Sequence, residues 1–171
     1  MLYRITNYYN IRSIVEGLLD GLLVGVLLIV ILRLVAGVCV VNGSSMEPTL
    51  SNQEVLIINH LFPDYSRGSI VIAKTETCGM LVKRIVAVEG DEIDIDENSG
   101  IVLLNGEATD EPFVIGPTYP IGKQRYPIKI PKGTVFLMGD NRNCSIDSRS
   151  EELGVIAKTD LCGSLVISFN R

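Results

Sequence analysis

The hydrophobic pattern of this chain changes period once. Residues 21–32 carry no charge and are almost wholly aliphatic. Extended back to Ser13 and forward to Leu34, the run reaches about the 20 residues that a helix needs to cross a bilayer. Beyond it the pattern becomes that of strands. Short β-branched runs at 38–41, 54–59, 68–73, 81–88, 101–104, 134–138 and 164–167 are bounded by Gly, Pro, Asn and Asp. Residues 92–96, Glu-Ile-Asp-Ile-Asp, alternate strictly, as a half-buried strand does. Asn105-Gly106 after the 101–104 run is a hairpin signal. Residues 105–131 hold five of the seven prolines and read as an extended loop or edge hairpin. The pattern predicts a mainly β domain of bent antiparallel sheets, barrel-like, behind one N-terminal membrane helix.

Charge adds an orientation. Arg4 and Arg12 precede the span, with Tyr3, Tyr8 and Tyr9 placed for an interfacial belt, so the positive-inside rule puts the N-terminus in the cytoplasm. Arg33, at the far end, counts against that bias. Glu16 lies close enough to the interface to reach it, and Asp20 sits deeper, facing a partner or pulling the span outward. The expected division is a cytoplasmic N-terminus over 1–12, a transmembrane helix over 13–34 and an extracytoplasmic domain over 35–171. A cleaved secretory signal fits poorly, because Leu34-Val35-Ala36 has leucine at the outer small position.

The body after residue 40 carries 12 basic and 18 acidic side chains, which argues against a nucleic-acid-binding surface. Cys39, Cys78, Cys144 and Cys162 form no CxxC pair, and His60 is the one histidine, so no zinc set is offered. Four cysteines allow up to two disulfides in three connectivities; free thiols are the simpler reading. The six carboxylates between Glu89 and Glu97 read as a solvated strand face before a calcium site, because Ile93 and Ile95 alternate with them. No cofactor is called for.

Candidate chemistry lies in three segments. Ser45 stands on a glycine-containing bend, Gly43-Ser44-Ser45-Met46-Glu47-Pro48-Thr49-Leu50, just past the span. A serine hydroxyl needs a base within hydrogen-bonding reach to act as a nucleophile. Lys83 is the one polar member of a strand row with Leu81, Ile85 and Ala87, and burial there favours the neutral amine that can serve. Taken singly, an edge lysine and a polar turn explain both residues as well. The third segment, 139–149, packs polar and glycine residues around one cysteine and one isoleucine directly after an apolar strand, where sites are often assembled. His60 has no Gly-x-Ser-x-Gly elbow to pair with and reads as structural.

Together, Ser45-Met46 with Pro48-Thr49-Leu50, then Lys83-Arg84, then Gly139-Asp140-Asn141-Arg142 with Ser145-x-Asp147-Ser148-Arg149, resemble the bacterial type I signal peptidases, most closely the single-span enzymes of Gram-positive lineages. The resemblance implies a membrane-anchored serine endopeptidase that cleaves signal peptides after small residues of the Ala-x-Ala type. It implies Ser45 as nucleophile, Lys83 as general base and Ser145 as the hydrogen-bonding partner that orients the lysine. It implies an Asp147–Arg149 ion pair shaping the loop, an Asp140–Arg84 pair, and an oxyanion hole using the Ser45 backbone N–H. Some relatives add a serine hydroxyl two residues before the nucleophile; here Gly43 stands there, so a backbone group takes its place. The implied small-residue pocket is lined by Cys39, Val41, Met46, Leu50, Ile72 and Val82. Cys144, where asparagine is usual, and Cys39 depart from the family pattern. The implied partners are signal peptides of secreted preproteins, membrane lipid and the protein-export machinery. Two alternatives stand beside this reading. One is a self-cleaving Ser/Lys regulator resembling SOS repressors, whose DNA-binding domain is here replaced by an apolar span. The other is an inactive membrane-tethered β binding domain.

Overall fold

The computed structural model describes the backbone of residues 2–169 and the side chains of 11–31 and 35–169. The side chains of Arg4, Tyr3, Tyr8, Tyr9 and Arg33 fall outside that set. The chain divides into two compact units at Ala36/Gly37.

The first unit is one helix, α1 (Leu2–Val35). It begins eleven residues before the span expected from hydropathy, because residues 2–12 contain no proline or glycine to stop it. Within it Ile11–Ile31 has a mean hydropathy of 2.5 and buries nothing against protein, so it is long and apolar enough to cross a membrane. Arg12 Nε donates to Glu16 Oε1 at 2.8 Å, an i,i+4 pair at the polar start of that segment.

The second unit is β. Its strands are β1 (Ala36–Val40), β2 (Val55–Asn59), β3 (Ile70–Thr75), β4 (Gly79–Val88), β5 (Glu92–Asp96), β6 (Ile101–Leu104), β7 (Glu107–Ala108), β8 (Ile128–Lys129), β9 (Thr134–Met138), β10 (Ile156–Ala157) and β11 (Leu161–Phe169). A seven-stranded sheet runs β1-β2-β11-β3-β4-β9-β10, and a four-stranded sheet runs β7-β6-β5-β8. Neighbours from β2 through to β10 pair antiparallel, as do those of the small sheet. The fold is thus the antiparallel β architecture that the pattern predicts, with one apolar helix ahead of it.

Three packed clusters explain the strand patterns. β3 is apolar on both faces: Ile70 and Ile72 join Val41, Met46, Leu50, Leu56 and Ile58, while Val71 and Ala73 pack with Ile85, Val135 and Leu137. A strand buried on both sides reads as a continuous β-branched run. Phe136 and Met138, the alternate residues of β9, meet Val86, Ala87, Ile93 and Val102 and so join the two sheets. Ile93 and Ile95 are buried on β5, as their alternation predicts. Asp91 is not solvated: it is buried, accepts from Arg67 Nε at 2.8 Å and takes the Val88 N–H at 2.8 Å. Asn105 and Gly106 have φ of 54° and 83° and close a two-residue turn between β6 and β7, the geometry Asn-Gly selects. A register shift between Ile85 and Ala87 breaks the alternation of β4, so Ala87 leaves the row of Lys83 and Ile85 and joins the cluster of Phe136.

Candidate active site

The segment between β1 and β2 is held from below and from both ends. Met46 and Leu50 are buried in the first cluster, and the Leu50 N–H donates to the Met46 carbonyl at 2.9 Å. Val41 exchanges backbone bonds with Glu54 and Gln53, both at 2.9 Å. Gly43 turns the chain at φ +105°, a region that side chains avoid, and its N–H donates to Asn52 Oδ1 at 2.9 Å. These contacts fix where Ser45 stands.

Lys83 approaches from β4. Val71 is its register partner on β3, whereas β9 begins pairing only at Arg84, opposite Met138. The Lys83 side chain therefore leaves the sheet where β9 turns away into the 139–149 loop. Its Nζ lies 2.5 Å from Ser45 Oγ. The residue is only 3% exposed, and burial lowers the pKa of its ammonium from the ordinary lysine value. Arg149 adds to the lowering, while Asp147, Cys78 and Asp140 act against it.

The loop is built on buried charge. Arg149 Nε donates to Asp147 Oδ1 at 2.8 Å, and Nη2 donates to Oδ2 at 3.0 Å and to the Arg142 carbonyl at 2.7 Å. Asp147 Oδ2 also accepts the Gly139 N–H at 3.0 Å. Ser148 Oγ accepts the Leu137 N–H, and the Ser148 N–H returns to the Leu137 carbonyl. Arg84 forks onto Asp140 at 2.9 and 2.6 Å, with Thr49 Oγ1 donating to the same carboxylate at 2.5 Å. The Arg84 guanidinium lies 3.9 Å from the Phe113 ring centroid. Gly139 has no room for a side chain, since a Cβ would collide with Ser145 Oγ and the Ser45 carbonyl. The loop and the serine segment thus meet at backbone distance.

Ser45 and Lys83 come together with the Asp147–Arg149 and Asp140–Arg84 pairs around them. Ser145 lies buried beside Gly139, but its hydroxyl has no hydrogen-bond partner, so the expected bond to Lys83 is not formed. Cys39, Val41, Met46, Ile72 and Val82 line a pocket of about 180 Å³ that opens on Ser45 and Lys83. Leu50 does not line it; this side chain is buried in the cluster beneath, with Met46 and Ile72. Burial raises the Cys39 thiol above its usual pKa. His60 Nδ1 lies 2.5 Å from the Cys162 carbonyl, and its ring packs on Gly37. All four cysteines are free. A larger cleft, about 530 Å³ between residues 74–77 and 152–162, shares no lining residue with the serine site.

Three residues escaped sequence reading. Glu111 forks onto the buried Arg142 at 2.9 and 2.6 Å, and Thr118 meets the same guanidinium. Both come from the proline-rich excursion, which is thereby tied to the loop, while Arg142 Nε donates to the Gly139 carbonyl at 3.1 Å. Asn52, exposed in a turn, is the third. The one available signal was Arg142 itself, since a loop arginine that becomes buried requires a carboxylate from elsewhere in the chain.

Comparison with known proteins shows which family the chain belongs to. The family model described as signal peptidase, peptidase S26, matches residues 16–169. The chain belongs to that family. It is accordingly a peptidase of the signal peptidase I type. It is 33% identical over 135 residues to a signal peptidase I of Bacillus amyloliquefaciens, covering 73% of this chain and 71% of that one. It is 34% identical over 140 residues to signal peptidase I T of Bacillus subtilis, covering 73% and 69%. A crystal structure of a signal peptidase I from Enterococcus faecalis matches with TM-score 0.49 and 20% identity, over 61% of this chain and 99% of that one.

Proposed function

We propose that this chain is a membrane-anchored serine endopeptidase that removes N-terminal signal peptides from exported preproteins, with Ser45 as nucleophile and neutral Lys83 as general base. The observation that carries the reading is the 2.5 Å approach of a buried lysine amine to a serine hydroxyl. A neutral amine at that distance is a competent base, and burial favours that form.

The steps follow. Ser45 Oγ bonds to the scissile carbonyl carbon while its proton passes to Lys83 Nζ. The carbonyl oxygen becomes an oxyanion, which the Ser45 N–H stabilises. The C–N bond then breaks, and the Lys83 ammonium gives its proton to the departing amine of the mature protein. An acyl ester on Ser45 remains. Water attacks it, Lys83 takes the water proton and returns it to Ser45 Oγ, and the signal peptide leaves as a carboxylic acid. Asp140–Arg84 and Asp147–Arg149 hold the loop beside the lysine.

The pocket of Cys39, Val41, Met46, Ile72 and Val82 is small and apolar, which suits alanine-sized residues at the cleavage site. Ile11–Ile31 serves as the anchor, with the N-terminus cytoplasmic and the β domain extracytoplasmic, as Arg4 and Arg12 imply. Membrane lipid and the export machinery are its neighbours in this reading. Cleavage of a preprotein by the purified full chain, with Ser45→Ala and Lys83→Ala beside it, tests the assignment.

A further inference from the structure

We propose that Asn141 is a positioning residue that aims the Ser45 backbone N–H at the developing oxyanion. The inference rests on the proposed serine mechanism and deepens it. The N–H in question belongs to the Ser44–Ser45 peptide. In a planar trans peptide the C=O and N–H point to opposite sides, so holding one aims the other. The Ser44 carbonyl is held by two donors, Asn141 Nδ2 at 3.2 Å and the Glu47 N–H at 3.2 Å. The following peptide is held as well, because the Asn141 N–H donates to the Ser45 carbonyl at 3.0 Å. Asn141 therefore anchors both peptides that flank the Ser45 Cα, one through its side chain and one through its backbone.

The Ser45 N–H, on the far side of the anchored carbonyl, has no acceptor among the described residues. The neighbouring Gly43 N–H is occupied by Asn52 Oδ1 at 2.9 Å and does not compete for the site. A donor on the C=O also polarises the peptide, which strengthens its N–H as a donor. Asn141 is in turn steadied by its neighbours: Asp140 accepts the Ile115 N–H at 3.1 Å, and Arg142 is clamped by Glu111. None of these bonds touches Lys83, so the proposal separates Asn141 from the proton-transfer chemistry.

The test uses the full chain in detergent with a preprotein substrate and the variants Asn141→Ala and Asn141→Asp. Both keep the backbone N–H, and the second keeps the side-chain volume while losing the donor. A peptide aldehyde ending in alanine reports on the oxyanion, because its adduct with Ser45 carries one. The matching product peptide, ending in a carboxylic acid, reports on ground-state binding. The expected result is a kcat lowered about 10- to 100-fold with KM within about twofold, and aldehyde affinity falling by the same factor as kcat/KM. In Asn141→Ala, product-peptide affinity and the acid limb of the pH profile stay in place. Wild-type kcat in both variants overturns the proposal. So does, in the uncharged Asn141→Ala, an equal loss of aldehyde and product-peptide affinity or an acid limb that moves, since a loosened loop does both. Ser45→Ala, run alongside, isolates the underlying reading: if it cleaves, the serine mechanism fails, whatever Asn141 does.

Discussion

Lys83 and Arg84 are neighbours on β4 with opposite surroundings. Arg84 Nη2 meets the Asp140 carboxylate at 2.6 Å, whereas Lys83 has no salt-bridge partner among the described residues and lies 2.5 Å from the Ser45 hydroxyl. Side chains of adjacent residues on a strand leave in opposite directions. One position therefore keeps its charge in an ion pair, while at the other burial disfavours the ammonium form.

Activity should follow the protonation of Lys83. Because burial lowers its pKa, the neutral base is present at pH values where an exposed lysine is charged. Below the lowered pKa, kcat/KM should fall about tenfold per pH unit. A rate that stays flat into the acid range, with chemistry limiting, contradicts a lysine base.

The same burial has a stability consequence of definite sign. The unfolded chain protonates Lys83 below about pH 10.4, while the folded chain does so only below its lowered pKa. Between the two values the unfolded state binds more protons, so stability drops as pH falls through that window. Lys83→Met removes the penalty. The variant should melt higher than wild type near neutral pH, and the gap should close as pH approaches 10. A gap that is absent, or that widens with pH, contradicts a depressed lysine.

Gly139 should tolerate no side chain. A Cβ there meets Ser145 Oγ and the Ser45 carbonyl, so the loop and the serine segment must separate. Gly139→Ala should lower kcat by about 100-fold or more, since a displacement of about 1 Å costs that much. Circular dichroism should show the β domain intact. Wild-type turnover in this variant means that the two segments need not touch.

The Asp147–Arg149 pair should matter to stability more than surface pairs do. The side chains are 0% and 2% exposed, so removing one partner leaves a buried charge. Asp147→Ala should cost about 3–5 kcal/mol, read as a lowered melting temperature of the full chain in detergent. Replacing both residues with apolar side chains should cost less than the single change.

Much of this was legible in the sequence because the signals are local. Hydropathy marked the helix, Asn105-Gly106 marked its hairpin, and the serine, lysine and 139–149 segments each stood out within a dozen residues. What was hidden depends on distance or on backbone detail. β8 and β10, two residues each, are paired by tertiary contacts and carry no period of their own. The bulge after Ile85 moved Ala87 to another cluster, which strict alternation does not foresee. Glu111 reaches Arg142 across 31 positions from a segment that reads as a loop. Leu50 and Met46 are apolar alike, and only packing places Met46 on the pocket wall and Leu50 beneath it. Asn141 acts on carbonyls, and backbone acceptors leave no trace in a side-chain pattern.

The proposed role of Ser45 and Lys83, cleaving signal peptides as a pair, is open to direct assay. Its most direct measurement is cleavage of a preprotein by the purified full chain in detergent, with the new N-terminus sequenced and Ser45→Ala, Lys83→Ala and His60→Ala assayed in parallel. The expected result is a single cut after a small residue at the signal junction, no product from the first two variants and normal turnover from His60→Ala. Cleavage by Lys83→Ala at the wild-type rate, or its loss in His60→Ala alone, would contradict it.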